Sequence, residues 1–469
     1  MTEIETDYLV IGAGASGMAF TDELIAQSDS YVVMVDRRHR PGGHWNDAYP
    51  FVRLHQPSAF YGVNSRVLGS DTIDKVGPNA GFYERATGAE ICDYYNRVLE
   101  DHLLPSGQVR FFGMCNYLGH RSGAHQFVSR LTGAVTTVRV RRKVVDATYL
   151  ETSVPATHTP SFEVDPSVRF IPIGDLVRLS EPATGYTVIG AGKTAMDACN
   201  WLLDNGVEPD AIRWIRPRDA WTLDRAQGQP LTLLPSLVEG FSLVLEAAAT
   251  AESVDDLFRS LETCGNLVRL EPTVEPTMFR GAVTSTAERE SLRQIERVVR
   301  QGRVVHLGID RIVLEDESIT TDRGQVHVDC TAPGPRVAPG RPIFEHGRIT
   351  LQLVRPLQPT LSAALIAFVE SARDDDADKN RLCTPIPVPS TAIDWISTNY
   401  IGLGAAAAWS NEPDLTSWLE RSRLNFARGL GEHMADPRMQ SALTRLAANR
   451  QPAMENLEQL LAQATVTRA

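Results

Sequence analysis

Apolar positions along the chain change period in a recurring way. A short β-branched run, roughly Tyr8 to Ile11, breaks at glycines and gives way to helical spacing that ends near Gln27. The continuous apolar run from Tyr31 to Asp36 (YVVMVD) then reads as the next parallel strand, buried on both faces. The same succession returns later: VIGAGKTAMD of Val188–Asp197 repeats VIGAGASGMA of Val10–Ala19, and Asn205-Gly206 closes its helix. The strand after it, AIRWIRPRDAW, ends on Arg216 and Arg218 where the first copy carries Asp36.

Between the copies the pattern is less regular. Arg40 to Arg66 is rich in Gly, Pro, aromatic and His residues and has no useful period, the mark of a functional loop. Short alternating runs from Val109 to Val145 predict a small antiparallel meander, with RVRRK (Arg139 to Lys143) on a strand with one solvated face. A Pro- and Thr-rich linker follows, from Pro155 to Pro166. Pro235 to Arg300 is mostly helical in pattern, with AERESLRQIERVVRQG the clearest amphipathic helix. Alternation returns up to Pro333-Gly334, and LQPTLSAALIAF (Leu357 to Phe368) predicts a buried helix beginning after Pro359. The chain closes with more helix, including LTSWLERSRLNFARGL and MENLEQLLAQA.

The glycines carry the candidate chemistry. In a strand–turn–helix context Gly12 and Gly190 permit the tight turn, and Gly14 and Gly192 let a pyrophosphate approach the backbone. Gly17 and Ala195 keep helix and strand close, and the helix N-terminus offers free N–H groups to phosphates. One copy alone is also compatible with a tight structural turn; two in register point to two dinucleotides. Asp36 is placed to accept hydrogen bonds from a ribose, against a solvated strand end as the plain alternative. Arg216 and Arg218 suit a 2′-phosphate and so NADPH over NADH, against a surface arginine pair. TVIGAGKT is not a nucleoside triphosphate loop, since Thr187 stands where that loop needs its first glycine.

Composition narrows the classes. At 469 residues two domains, or three with one small, are expected. A net charge of −12 argues against nucleic acid as a partner. The six cysteines are scattered with no CxxC pair, which excludes a zinc knuckle and a dithiol centre and fits free thiols in the cytoplasm. The acidic start enters the first strand without a signal pattern, and no apolar run approaches the ~20 residues of a membrane span.

With GAGASG, then GGHW after Asp36, then GAGKTA, the chain resembles the two-dinucleotide flavoproteins, and among them the flavin-containing and Baeyer–Villiger (class B) monooxygenases. The resemblance covers residue 1 to about 230 and about 295 to 370. It implies an α/β fold of two Rossmann-like domains: the FAD domain from 1–165, an NADPH domain at 166–304 with a helical insertion at about 235–300, and a return segment with C-terminal helices at 305–469. It implies FAD held by Gly12, Gly14, Gly17, Asp36 and Arg37, with Gly42, Gly43 and Trp45 against the flavin. NADPH would lie on Gly190, Gly192, Ala195, Arg216 and Arg218. VVDATYLETSVP, with Thr148, and VDCTAPG, ending at Gly334, resemble the segments that cross between the domains.

The implied activity is hydride transfer from NADPH to FAD, then transfer of one oxygen atom from a flavin C4a-peroxide to a small organic substrate. His55 and Gln56 are the candidate catalytic groups facing the flavin, with a structural histidine as the equal alternative; Asp47, Tyr49 and Arg53 are weaker candidates. Thr360 and Leu361 would place a helix N-terminus at the flavin, against an ordinary core helix. The chain departs from the family where FxGxxxHxxx[YFW] is expected and FEVDPSVRFIPIGDL stands. A reductase, dehydrogenase or oxidase without oxygen transfer, and a non-catalytic NADPH sensor, stay open as alternatives. The expected partners are a small-molecule substrate and O2, with no nucleic acid, no membrane and no metal, and oligomers through the C-terminal helices.

Overall fold

The chain opens with β1 (Thr2–Ile11), α1 (Ala15–Gln27) and β2 (Val32–Val35), in a computed structural model that describes residues 2–121 and 123–468. Side-chain alternation explains why these strands are apolar throughout. Tyr8, Val10, Val32 and Met34 enter one core together with α1, while Leu9, Val33 and Val35 enter another on the opposite face. After the irregular segment come α2 (Gly88–Val98), β3 (Val109–Phe112), β4 (Cys115–Arg121), β5 (Ala124–Ser129) and β6 (Val135–Asp146). β6, β1, β2 and β3 lie side by side and parallel. The expected meander is therefore confined to β4, β5 and β6. β3 instead joins β2 in parallel, which needs a crossover, and α2 lies on it.

The chain leaves this unit through β7 (Thr152–Ser153) and builds a second one. Its strands and helices are β8 (Glu163–Val164), β9 (Phe170–Pro172), β10 (Gly185–Ile189), α3 (Lys193–Asp204), β11 (Ile212–Ile215) and β12 (Ala220–Asp224). Then follow α4 (Leu234–Thr250), α5 (Val254–Thr263), β13 (Leu267–Val268), β14 (Met278–Thr284), α6 (Thr286–Leu292) and β15 (Val298–Val299). β16 (Val304–Leu307), β17 (Arg311–Leu314), β18 (Ser318–Thr320) and β19 (Gln325–Asp329) complete it. A parallel sheet in the order β15-β11-β10-β19-β9 forms its centre.

Two expectations change here. AERESLRQIERVVRQG is not one helix: α6 stops at Leu292, Ile295 turns into the core, and the β-branched pair Val298–Val299 joins the sheet beside Trp214 and Ile215. The return to the first unit comes near 330 rather than 305, because β19 adds beside β10.

The return segment begins with β20 (Gly334–Pro335), which pairs antiparallel with β7. β21 (Phe344–Glu345) and β22 (Arg348–Thr350) extend the first sheet beside β6. α7 (Pro359–Ala372) is buried on nearly every side, as its unbroken apolar run requires, and shares the core of α1. α8 (Asp376–Leu382), α9 (Ala392–Trp409), α10 (Pro413–Arg421) and α11 (Pro437–Arg468) follow. The expected helix LTSWLERSRLNFARGL thus ends at Arg421. The apolar positions of α11, Ala453, Leu457 and Leu460, are buried inside the chain with residues of α4, α5 and α9. Leu231–Thr250, interrupted by Glu239 and Glu246, has the length and mean hydropathy (1.5) of a membrane span after all, but half of it is buried in the protein. All six cysteines are free.

Candidate functional site

Both glycine turns are built the same way. Gly14 immediately precedes α1 and Gly192 immediately precedes α3, and neither helix has a side-chain cap, so the first N–H groups stay available. α2, α5, α6, α8 and α9, by contrast, close theirs with Thr87, Ser253, Ser285, Asp375 and Thr391. At the third motif position a Cβ on Gly17 would stand 2.0 Å from the Gly12 carbonyl oxygen, so only glycine fits there. The second copy accepts Ala195, fully buried, at that position. Gly190 has its own constraint, since a Cβ would come within 2.4 Å of the Cys330 carbonyl oxygen.

The segments expected to cross between the units close each turn with one repeated device. Asp146 accepts from the Thr148 N–H (2.9 Å) and hydroxyl (2.7 Å); Asp329 accepts from the Thr331 N–H (2.9 Å) and hydroxyl (2.6 Å). Thr148 also packs its methyl group at Gly12. Gly334 lies just beyond the second device, in the β7–β20 ribbon.

The strand ends differ. Asp36 is buried, and its carboxylate accepts from the Ala13 N–H at 2.6 Å and the Arg38 N–H at 2.7 Å. Four lone-pair directions leave room for a ribose hydroxyl as well. Arg37 is half exposed and pairs with Glu151. In the second unit Arg216 turns inward: its guanidinium lies 4.5 Å over the Trp214 ring and pairs with Asp219 at 3.0 Å. Burial lowers its pKa. Of the two expected arginines only Arg218 reaches the surface, in a groove shared with Arg300, Arg303, Glu315 and Asp316.

The irregular loop joins the two turns. A Cβ on Gly43 would stand 2.9 Å from the Gly14 Cα, so the Gly42-Gly43 backbone lies directly against the first turn, with both glycines at positive φ. Trp45 donates to the Tyr61 hydroxyl at 2.8 Å and packs against the cores of both units. Tyr49 donates to Asp197 on α3 at 2.6 Å, and Asp197 also pairs with Lys193, the first residue of that helix. Asp47 is held by Arg38, and Arg53 donates to the Arg85 carbonyl at 3.1 Å.

His55 and Gln56 are half-buried, and no hydrogen bond from either side chain is found among the described residues. A backbone-bonded structural histidine is therefore not what His55 is. Burial, reinforced by the Lys193 charge, brings its pKa down to about 4, so the ring is neutral at pH 7. At the start of α7 Thr360 is buried with its hydroxyl 3.5 Å from the Phe60 carbonyl, and Leu361 lies in the core.

Residues 10–63 match the NAD(P)-binding Rossmann-like domain family. Over 467 residues the chain is 47% identical to the uncharacterized proteins Rv2000 of Mycobacterium tuberculosis and Mb2023 of Mycobacterium bovis, covering 99% of this chain and 86% of each relative. The chain belongs to their family. Among solved structures it resembles cyclohexanone monooxygenase in an open crystal structure (TM-score 0.51, 12% identity, 79% of this chain and 87% of that one). It also resembles a steroid monooxygenase bound to NADP (TM-score 0.51, 14% identity, 78% and 85%). At these identities the likeness is one of fold: the two-unit architecture of FAD- and NAD(P)-dependent oxidoreductases.

Several residues that shape the cleft had no mark in the sequence reading. Lys193 and Asp197 stand four apart on one helix turn, and Asp-x-Thr recurs at Asp146 and Asp329, so both signals were there to be found. Arg85, Arg225 and Glu288, which meet beside His55, are too far apart in sequence to leave a local pattern.

Proposed function

We propose that this protein is an NADPH-dependent FAD monooxygenase that transfers one oxygen atom from O2 to a small organic substrate held between its two units. The observation that carries this reading is the loop that runs from Gly43, against the first glycine turn, to Tyr49, bonded to Asp197 beyond the second, with both turns uncapped. FAD, when bound, supplies the redox chemistry that no side chain here provides. The residues fit such groups: Gly14 and Gly43 line a cradle of bare backbone, and a Cβ on Gly192 meets nothing within 4 Å. Asp36 is suited to the FAD ribose, and Arg218 with Arg300 and Arg303 to the 2′-phosphate of NADPH. A neutral His55 offers one donor and one acceptor nitrogen without bringing a charge beside the flavin. The Trp45–Tyr61 and Tyr49–Asp197 hydrogen bonds fix the aromatic side chains of the loop beside the two turns.

A second reading, reduction or oxidation without oxygen transfer, is favoured by one feature: residues 162–176 contain no histidine where the monooxygenases place theirs. Turnover under ¹⁸O2 separates the two. Labelled product supports the monooxygenase; unlabelled product with stoichiometric hydrogen peroxide replaces it with an oxidase. A protein whose flavin NADPH cannot reduce anaerobically would be neither.

A further inference from the structure

A set of buried charged groups beside His55 has no part in that chemistry. Arg85 comes from the first unit and Arg225 from the connection between β12 and α4, and both grip Glu288 of α6. Arg85 Nη2 meets Oε1 at 3.3 Å and Arg225 Nη2 meets Oε2 at 2.7 Å. The Ser285 N–H donates to Oε2 at 2.9 Å and fixes the carboxylate further. Burial alone would raise the pKa of Glu288, but the Lys193, Arg225 and Arg85 charges outweigh it and bring it to about 2. The group is an anion.

One carboxylate for two guanidinium groups leaves donors over. Arg225 is 1% exposed, yet among the described residues its Nε and Nη1 have no hydrogen-bond partner, and Arg85 Nε has none either. Arg85 Nη1 donates to the Leu54 carbonyl at 3.2 Å, which ties it to the residue before His55. The charges of Lys193, Arg85 and Arg225 all reach the His55 ring. Asp197, the other carboxylate here, is already engaged by Lys193 and Tyr49. Lys193, Arg85 and Arg225 thus share Glu288 and Asp197, with Arg53 and Asp204 in electrostatic reach, and the unpartnered guanidinium N–H groups lie beside a neutral ring. Buried donors are nearly always satisfied, and a buried charge without a counter-ion is strongly unfavourable. The two guanidinium groups lack acceptors for these N–H groups among the described residues.

We propose that Arg85 and Arg225 bind the carboxylate of the substrate, so that the molecule held beside His55 is an organic acid. This rests on the reading of the cleft as the substrate site. The phosphates of NADPH have donors elsewhere, at the uncapped start of α3 and in the Arg218 groove, which leaves this pair for the substrate.

The test is calorimetric binding to the FAD-loaded protein, with NADP⁺ saturating, of benzoate and acetate against benzamide and acetamide. The acids are expected to bind at least about tenfold more tightly than their amides. Arg225→Gln should abolish that preference while leaving FAD content and NADP⁺ affinity unchanged. Arg85→Lys serves if that variant fails to fold, and the wild-type comparison stands without either. Equal or undetectable binding of acids and amides overturns the proposal. So does loss of acid binding when NADP⁺ is added, which would assign the donors to a cofactor phosphate. No oxygen enters this measurement, so absence of ¹⁸O transfer refutes the monooxygenase alone.

Discussion

The two units share a glycine turn and part company one strand later. In the first, the strand after the glycines ends on Asp36, whose carboxylate bonds back to the Ala13 N–H and so helps to shape the turn itself. In the second, the equivalent end carries Arg216, which stacks on Trp214 and pairs with Asp219, with no side-chain hydrogen bond to its own turn among the described residues. Arg300 holds the other Asp219 oxygen at 2.9 Å. The acid thus shapes its own turn from the strand end and, under the proposed function, also receives a ribose. The arginine packs inward, and the proposal gives nucleotide discrimination to the exposed Arg218 and its neighbours. Equivalent positions in a duplicated scaffold need not carry equivalent duties.

The largest effect expected from this comparison lies at the third motif position. Gly17→Ala should destabilise the apoprotein by about 3 kcal/mol, because its Cβ meets a carbonyl oxygen that cannot move without opening the turn. Ala195→Gly in the second unit should cost only about 1 kcal/mol, the ordinary helix penalty. Urea unfolding of both variants measures the pair, and equal losses would erase the asymmetry.

Histidines sharpen it next. His327, inside β19 of the second unit, has its pKa lowered to about 4 by burial and then by the Arg213 charge. It is neutral when folded and protonated when unfolded below about pH 6.5, so the unfolded state binds the extra proton. Stability is therefore complete above about pH 6.5 and falls as the pH drops toward 4, by about 3 kcal/mol for this one buried group. His55 contributes in the same direction but less, being partly open to solvent. Denaturant midpoints taken from pH 7 to pH 4 should fall for the wild type and fall less for His327→Gln. An unchanged slope in that variant would remove His327 from the account.

The smallest effect separates the two arginines. Arg218→Ala should raise KM for NADPH about tenfold and leave NADH unchanged, the loss of one charge-assisted contact. Arg216→Ala should lower stability by about 1–2 kcal/mol, since Asp219 keeps Arg300, and should shift both nucleotides alike. An Arg216 variant with a selective NADPH defect would return discrimination to the strand end.

What the sequence made legible was local. The glycine spacings, the two-faced strand Val32–Val35 and the buried helix α7 each follow from a period or a backbone constraint confined to a few neighbours. The extent of the second unit was less readable, because Val298–Val299 and Gln325–Asp329 are too short to declare which sheet they join; only pairing decides it. Arg216 was misjudged for a related reason. Its fate depends on Trp214 two residues earlier on the same strand face and on Asp219, contacts that a solvent-facing reading of a strand end omits. The arginine pair at Glu288 lay beyond sequence reasoning, since three separate segments meet there.

The ribbon of β7 and β20 sets how the second unit is attached. Ser153 and Gly334 are register partners, so the chain leaves the first unit and re-enters it at one point. An excursion whose ends meet costs its host little in loop-closure entropy, however long it grows. In evolutionary terms the second unit is an insertion that its host has since sewn in: its ends meet at one ribbon, yet α4 and α5 share a core with α9 and α11 of the return segment. Residues 154–333 expressed alone would therefore expose that apolar face to water.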